Sequence, residues 1–109
     1  MSAIQTAQTV TIANGQTTSN AIDLGELAVV GIQTPSALTG TSFTFQASSD
    51  NVTFCAVTKV DGTTYTMTVA ASKYIVVPPA DLAGVRYLKI VSGATEGQAD
   101  TIIVVTRQV

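Results

Sequence analysis

The sequence predicts an all-β protein, an antiparallel β-sandwich of about eight strands. Apolar and polar residues alternate with period two along most of the chain, a pattern typical of half-buried strands. Turn signals such as Asn14-Gly15 and Asp61-Gly62 recur at short intervals between the alternating segments. Threonine, a β-branched residue that favours strands, occurs 18 times among the 109 residues.

The first half of the chain contains four strand candidates. Val10 and Ile12 share one face of the first candidate, and Phe43 and Phe45 share one face of the fourth. Thr34-Pro35 ends the third, because proline cannot donate a hydrogen bond to a ladder. The predicted strands are Gln8–Ala13, Ala21–Leu24, Leu27–Gln33 and Ser42–Ser48.

The second half of the chain continues the alternation. Its predicted strands are Val52–Val60, with an interruption or bulge near Cys55, and Thr64–Val69, Tyr74–Val77, Val85–Ser92 and Thr101–Thr106. A polar loop is expected at Gly93–Asp100, and Ile102–Val105 is continuously apolar, which indicates a strand buried on both faces. Alternation alone fits both an immunoglobulin-like and a jelly-roll strand order, so the pattern leaves both open.

The chain is predicted to form one β-sandwich domain at residues 8–109, preceded by an N-terminal arm at residues 1–7. A length of 109 residues suits a single domain, and no linker composition interrupts it. The arm is uncharged and carries one aliphatic anchor, Ile4, which would suit docking on the sheet edge of a neighbouring molecule. A basic segment followed by an apolar core is lacking near the N-terminus, so no signal peptide is expected.

Composition argues against several classes of function. Charged residues make up 11% of the chain and the net charge is -2, so nucleic-acid binding is not expected. The chain has no histidine and one cysteine, which disfavours histidine-based catalysis and multi-cysteine zinc sites. The acidic residues lack the spacing of calcium loops. The expectation is a protein without catalysis, cofactor, metal or membrane span.

A few residues remain as candidates for contacts with partners. Arg86 and Lys89, beside Tyr87, form the densest basic patch and suit ion pairs across a protein interface. Ile4 of the arm is the third candidate interface residue. Cys55 lies among apolar neighbours and is expected to be a buried small hydrophobe.

Two stretches together carry a resemblance to a known family. They are Phe43–Ser48 with the following Asp50-Asn51, Thr53-Phe54 and Asp61-Gly62, and Leu82–Gly93 with its Gly-Val-Arg-Tyr-Leu-Lys-Ile run. In this order they resemble small head proteins of tailed phages and prophages, over about residues 22–107. The resemblance implies a jelly-roll-like sandwich without catalytic or ligand residues.

Several members of that family look like capsid decoration (cement) proteins. The resemblance therefore implies binding to the major capsid protein on the outer face of the expanded head, as a homo-oligomer and preferably a homotrimer. The chain would be made in the bacterial host cytoplasm and end in the virion. The alternative is a carbohydrate- or receptor-binding module of a tail fibre or baseplate, which would need Tyr65, Tyr74 and Tyr87 on one exposed surface.

Overall fold

Residues 5–25 and 27–108, which the computed structural model describes, form nine strands and no helix. Within this part of the chain there is accordingly no helix long and apolar enough to cross a membrane. The strands are β1 (Gln5–Ile12), β2 (Ile22–Asp23), β3 (Leu27–Gln33), β4 (Ser42–Ser48), β5 (Cys55–Ala56), β6 (Thr66–Thr68), β7 (Tyr74–Val76), β8 (Tyr87–Ser92) and β9 (Asp100–Gln108).

The strands form two antiparallel sheets with the order of a jelly roll. The four-stranded sheet runs β1-β9-β3-β7, and the five-stranded sheet runs β2-β8-β4-β5, with β6 also paired to β4. The chain thus pairs β1 with β9, β2 with β8, β3 with β7 and β4 with β5. Nested pairs divided between two sheets are the jelly-roll arrangement. The predicted fold class is confirmed, and β6 lies within the predicted strand Thr64–Val69.

The core lies between the two sheets and follows the period-two alternation. Its largest fully buried side chains include Phe43 and Phe45 of β4, which face Ile32 of β3 and Ile102 of β9 across the sandwich interior. Fully burying a side chain of this size stabilises a fold by about 1.5–3 kcal/mol. Because successive side chains of a strand point to opposite faces of the sheet, residues that alternate with these core positions lie on an outer face.

The predicted N-terminal arm is wrong for residues 5–7, which belong to β1. The ladder between β1 and β9 is continuous from Gln5 opposite Arg107 to Ile12 opposite Asp100. The Thr6 and Thr106 hydroxyls also share a hydrogen bond of 2.7 Å. Backbone pairing with β9 therefore extends β1 to residues that precede the alternation of apolar and polar side chains seen in the sequence. Ile4, the predicted anchor of the arm, lies outside the described residues.

The predicted strand over residues 52–60 shrinks to β5 because a turn captures its first amide groups. The Asp50 carboxylate accepts hydrogen bonds from the backbone N–H of Thr53 (3.0 Å) and Val52 (2.9 Å). These bonds hold the pKa of Asp50 at about 2. Backbone groups used in such a turn cannot join a ladder. The short strand leaves Cys55 exposed, so its predicted burial is wrong.

Candidate functional site

The outer face of the four-stranded sheet is almost free of charge. It consists of the side chains that alternate with the core residues of β1, β3, β7 and β9. Its described members are Ala7, Thr9, Thr11, Ala28, Gly31, Gln33, Tyr74, Val76, Thr101, Ile103, Val105 and Arg107. We call this set the neutral face. Arg107, near the end of β9, is the single charged residue among these members.

Tyr74 and Val76 give the neutral face an exposed apolar patch. They project from β7 with 53% and 75% of their surface exposed. Tyr74 covers Gly31 of the neighbouring strand, because a Cβ at Gly31 would lie 2.6 Å from the Tyr74 hydroxyl oxygen. Glycine therefore lets the ring lie close to the sheet. An aromatic ring already ordered on a flat face loses little entropy when a partner binds.

A β-bulge in β3 shapes the same face. The register against β9 shifts between Val29 and Gly31, so Val30 is the extra residue. The shift places Ala28 opposite Arg107 and Gly31 opposite Val105, which puts both small residues on the outer face. After the bulge, the register therefore brings the small residue Gly31 to the neutral face beside Val105. No feature of the sequence alternation had indicated it.

Of the predicted interface residues, Lys89 lies in β8 of the other sheet and Arg86 directly precedes β8, and both contact their own chain. Arg86 donates hydrogen bonds to the Asp23 carboxylate at 3.2 and 3.4 Å, which lowers the pKa of Asp23. The Lys89 ammonium lies 4.3 Å from the centre of the Phe54 ring. Both cations already have partners within the chain, and neither adjoins the neutral face in the sheet order.

The three tyrosines do not form one exposed platform. Tyr74 belongs to the outer face of the four-stranded sheet, while Tyr87 belongs to the outer face of the five-stranded sheet. Tyr65 is half-buried against the core, 5.8 Å from the Phe45 ring centre, and its hydroxyl donates to Asp81 at 2.7 Å. The arrangement that the carbohydrate-binding alternative needs is therefore absent from the described residues.

A buried pair of carboxylic acids, missed at the level of sequence, lies at one end of the sandwich. Glu96 and Asp100 are both fully buried, although they belong to a segment expected to be a polar loop. The Glu96 carboxylate accepts hydrogen bonds from the N–H of Thr39 (2.7 Å), the N–H of Gly40 (2.9 Å) and the Ser92 hydroxyl (2.7 Å). It thereby joins the 34–41 segment to the end of β8.

Asp100 shares the same pocket but lacks a donor. Neither of its carboxylate oxygens has a hydrogen-bond partner among the described residues. Burial is the main cause that raises the pKa of Asp100 to about 6. The contact with the Glu96 side chain and the negative charge of Glu96 raise it further. Burial also disfavours the charged form of Glu96, but the neighbouring Asp100 carboxyl and the hydrogen bonds from Thr39, Ser92 and Gly40 outweigh the effect of burial, and the pKa of Glu96 is lowered. The pair is arranged to hold one proton, on Asp100.

Two open depressions offer little chemistry. One of about 480 Å³ is lined by Ala47, Ser48, Ser49, Gly84, Val85 and Arg86. The other, of about 410 Å³, contains Lys59, Tyr65 and Asp81. Burial, and then the bond to Asp81, raises the pKa of Tyr65 to about 12, far from the range of a general base at neutral pH. The described residues contain no group of three acidic or cysteine side chains placed to hold a metal.

Comparison with known proteins shows the fold. Neither a protein-family model nor a curated protein sequence matches the chain. Among solved structures, the crystal structure of the SPBc2 prophage-derived protein YomS is similar, with a TM-score of 0.58. The similarity covers 96% of each chain at 14% sequence identity. The two proteins therefore share their β-sandwich architecture along nearly the whole length.

Proposed function

We propose that the protein is a bacteriophage capsid decoration protein that binds the outer surface of the major capsid lattice and stabilises the head without catalysis. The observation that carries this proposal is the neutral face, whose described members include a single charged residue. A small soluble monomer usually keeps its surface charged. A face without charge is inexpensive to remove from water and suits a permanent partner.

The size of the neutral face suits one half of a protein interface. With strands about 4.8 Å apart and about 3.4 Å per residue, the eight residues of β1, nine of β9, seven of β3 and three of β7 cover roughly 440 Å². Specific interfaces bury about 800 Å² on each partner, so the face together with its rim approaches the usual area. On a capsid, many copies bind one particle, and a modest affinity per copy is then sufficient for a stable shell.

The structural neighbour supports a phage origin. A protein encoded by a prophage has the same architecture over 96% of its length. The order of motifs that resembles small phage head proteins lies in β4, the following turns and β8, which are central to that architecture. Both observations favour a structural protein of the virion, made in the bacterial host cytoplasm. Its partners would be the major capsid protein and further copies of this chain.

Val76→Asp is expected to weaken attachment to capsids by roughly tenfold or more, because a carboxylate would be buried in the interface without a partner. Val76 is largely exposed in the free protein, so the fold should be little affected. Val60→Asp is the matched control, since Val60 is fully exposed on the 57–65 hairpin, away from the neutral face. Co-sedimentation with purified capsids lacking this chain measures both.

Equal attachment of the Val76→Asp and Val60→Asp variants would contradict the assignment of the neutral face. Loss of attachment in both variants would mean that any added charge prevents binding, which the proposal does not predict. Thermal unfolding of both variants, checked beforehand, ensures that the comparison is made between folded proteins.

A further inference from the structure

The outer edge of β1 carries backbone groups, at Ala7 and Thr9, that have no hydrogen-bond partner among the described residues. At one end of the strand, the Thr11 N–H donates to the Asn20 side chain (2.8 Å) and the Thr11 carbonyl accepts from the Asn20 N–H (3.4 Å), both on the side away from β9. The N–H and C=O groups of successive residues in a strand point alternately to its two sides. Thr9 and Ala7 therefore present their N–H and C=O on the same side as Thr11. No described residue supplies a partner to either.

The other sheet edges are protected in ways that β1 lacks. The opposite edge, β7, has three residues and is followed closely by Pro78-Pro79. At the edges of the five-stranded sheet, β2 has two residues, and β5 and β6 have two and three. By contrast, β1 has eight residues in unbroken register, without proline, bulge or charge. Proteins normally block such an edge, so an open one is expected to pair.

We propose that β1 pairs antiparallel with β1 of a second copy of this chain, across a two-fold axis, so that the two four-stranded sheets become one continuous sheet. A two-fold axis brings a strand to its own copy in the antiparallel direction. The free groups of Ala7 and Thr9 then face their equals on the partner strand. Since β1 carries no charge, no like charges oppose each other in any register about the axis.

This dimer is independent of capsid binding and differs from the trimer that the family resemblance implies. A three-fold axis cannot place a strand against its own copy, so β1 pairing and a closed trimer exclude each other as the first assembly step. The neutral face is the outer surface of the four-stranded sheet, so it stays accessible in each copy when the β1 edges pair. Failure of the dimer would therefore leave the proposed attachment to capsids untouched.

Thr9→Lys and Thr101→Lys form a matched pair that tests the proposal. Both replace an exposed threonine on the outer face of the four-stranded sheet by lysine, but Thr9 lies on the free edge and Thr101 on the interior strand β9. A lysine on an edge strand opposes pairing. Sedimentation equilibrium should find a dimer for wild type and for Thr101→Lys, and a dissociation constant raised by roughly tenfold or more for Thr9→Lys.

Amide exchange and a proline variant supply an independent readout. Exchange at Ala7 and Thr9 should slow as the wild-type concentration rises, because dimerisation protects these amides. Thr9→Pro removes an N–H that points away from β9, so it should fold and remain monomeric. A wild-type protein that is monomeric at every concentration, or trimeric, would overturn the proposal. So would a dimer that persists in both Thr9 variants.

Discussion

Asp100→Asn is expected to be more stable than the wild-type protein above pH 6, by up to about 3 kcal/mol. In the wild type, the fully buried Asp100 carboxylate has no donor, and its pKa is raised from 3.8 to about 6. Between about pH 4 and pH 6, Asp100 therefore keeps its proton in the folded protein but loses it in the unfolded chain. An asparagine at this position resembles the protonated acid, donates a hydrogen bond and cannot ionise.

The sign of this effect follows from the direction of the pKa shift. Because the folded pKa of Asp100 is raised, its contribution to stability is complete below about pH 4 and is lost as the pH rises through about 6. A shift of about two units corresponds to about 3 kcal/mol. Glu96 acts in the opposite sense, because its pKa is lowered in the folded protein. Its contribution to stability is complete when the pH is above the ordinary pKa of a glutamate, and it is lost as the pH falls through the lowered pKa.

Urea unfolding at about pH 5 and about pH 8 measures the predicted difference. Asp100→Asn should be more stable than the wild type at both pH values, with a gain at the lower pH of roughly half that at the higher pH, because about pH 5 lies between the unfolded and folded pKa values of Asp100. Asp61→Asn is the control, because Asp61 is exposed and its pKa is lowered by hydrogen bonds from Thr63. It should bring no gain at the higher pH. An Asp100→Asn variant that is less stable at both values would contradict the proton-sharing pair.

Glu96→Gln is expected to destabilise the protein at about pH 5 by about 2–3 kcal/mol, the cost of buried donors left without an acceptor. The Glu96 carboxylate accepts three hydrogen bonds in a fully buried site. The glutamine amide group turns one acceptor into a donor, which then faces the N–H of Thr39 or the groups around Gly40. The loss should shrink above pH 6, because the amide also removes a negative charge beside ionised Asp100.

The same unfolding series tests this second variant. The two isosteric amide substitutions should have different pH profiles, with Glu96→Gln harmful mainly at low pH and Asp100→Asn beneficial mainly at high pH. Identical profiles would show that the two acids do not have separate roles. Hydrogen exchange at Thr39 and Gly40 adds a local check, since both amides lose their carboxylate acceptor only in Glu96→Gln.

Two interior strands were predictable from sequence to the residue. Leu27–Gln33 and Ser42–Ser48 are strands with the expected bounds, because both are interior strands whose inward positions are apolar. Around Asp50, a side chain captured the amides that the predicted strand needed, and alternation carries no sign of such a bond. Strand order was likewise not contained in the alternation, and the family resemblance, not periodicity, pointed to the jelly roll.

The sequence predicted a weakly charged protein that binds partners, but it did not indicate which surface would bind them. The low content of charged residues was evident from composition, yet only the pairing of β1, β9, β3 and β7 shows which face is neutral. Arg86 drew attention as a charge in a sparse sequence, but its partner Asp23 lies 63 residues away along the chain. Glu96 and Asp100 were predicted to be loop residues. Their burial was not predictable, because a buried acid needs hydrogen-bond donors that can be distant in sequence, such as the Thr39 N–H.

The copy number of this chain in purified virions tests the proposed decoration role most directly. Quantitative mass spectrometry gives this number relative to the major capsid protein. A lattice-wide decoration protein should be present in amounts comparable with the major capsid protein, because every repeating lattice site offers the same contact. A few copies per particle would place the chain at a tail or fibre and contradict the proposal, as would its absence from virions.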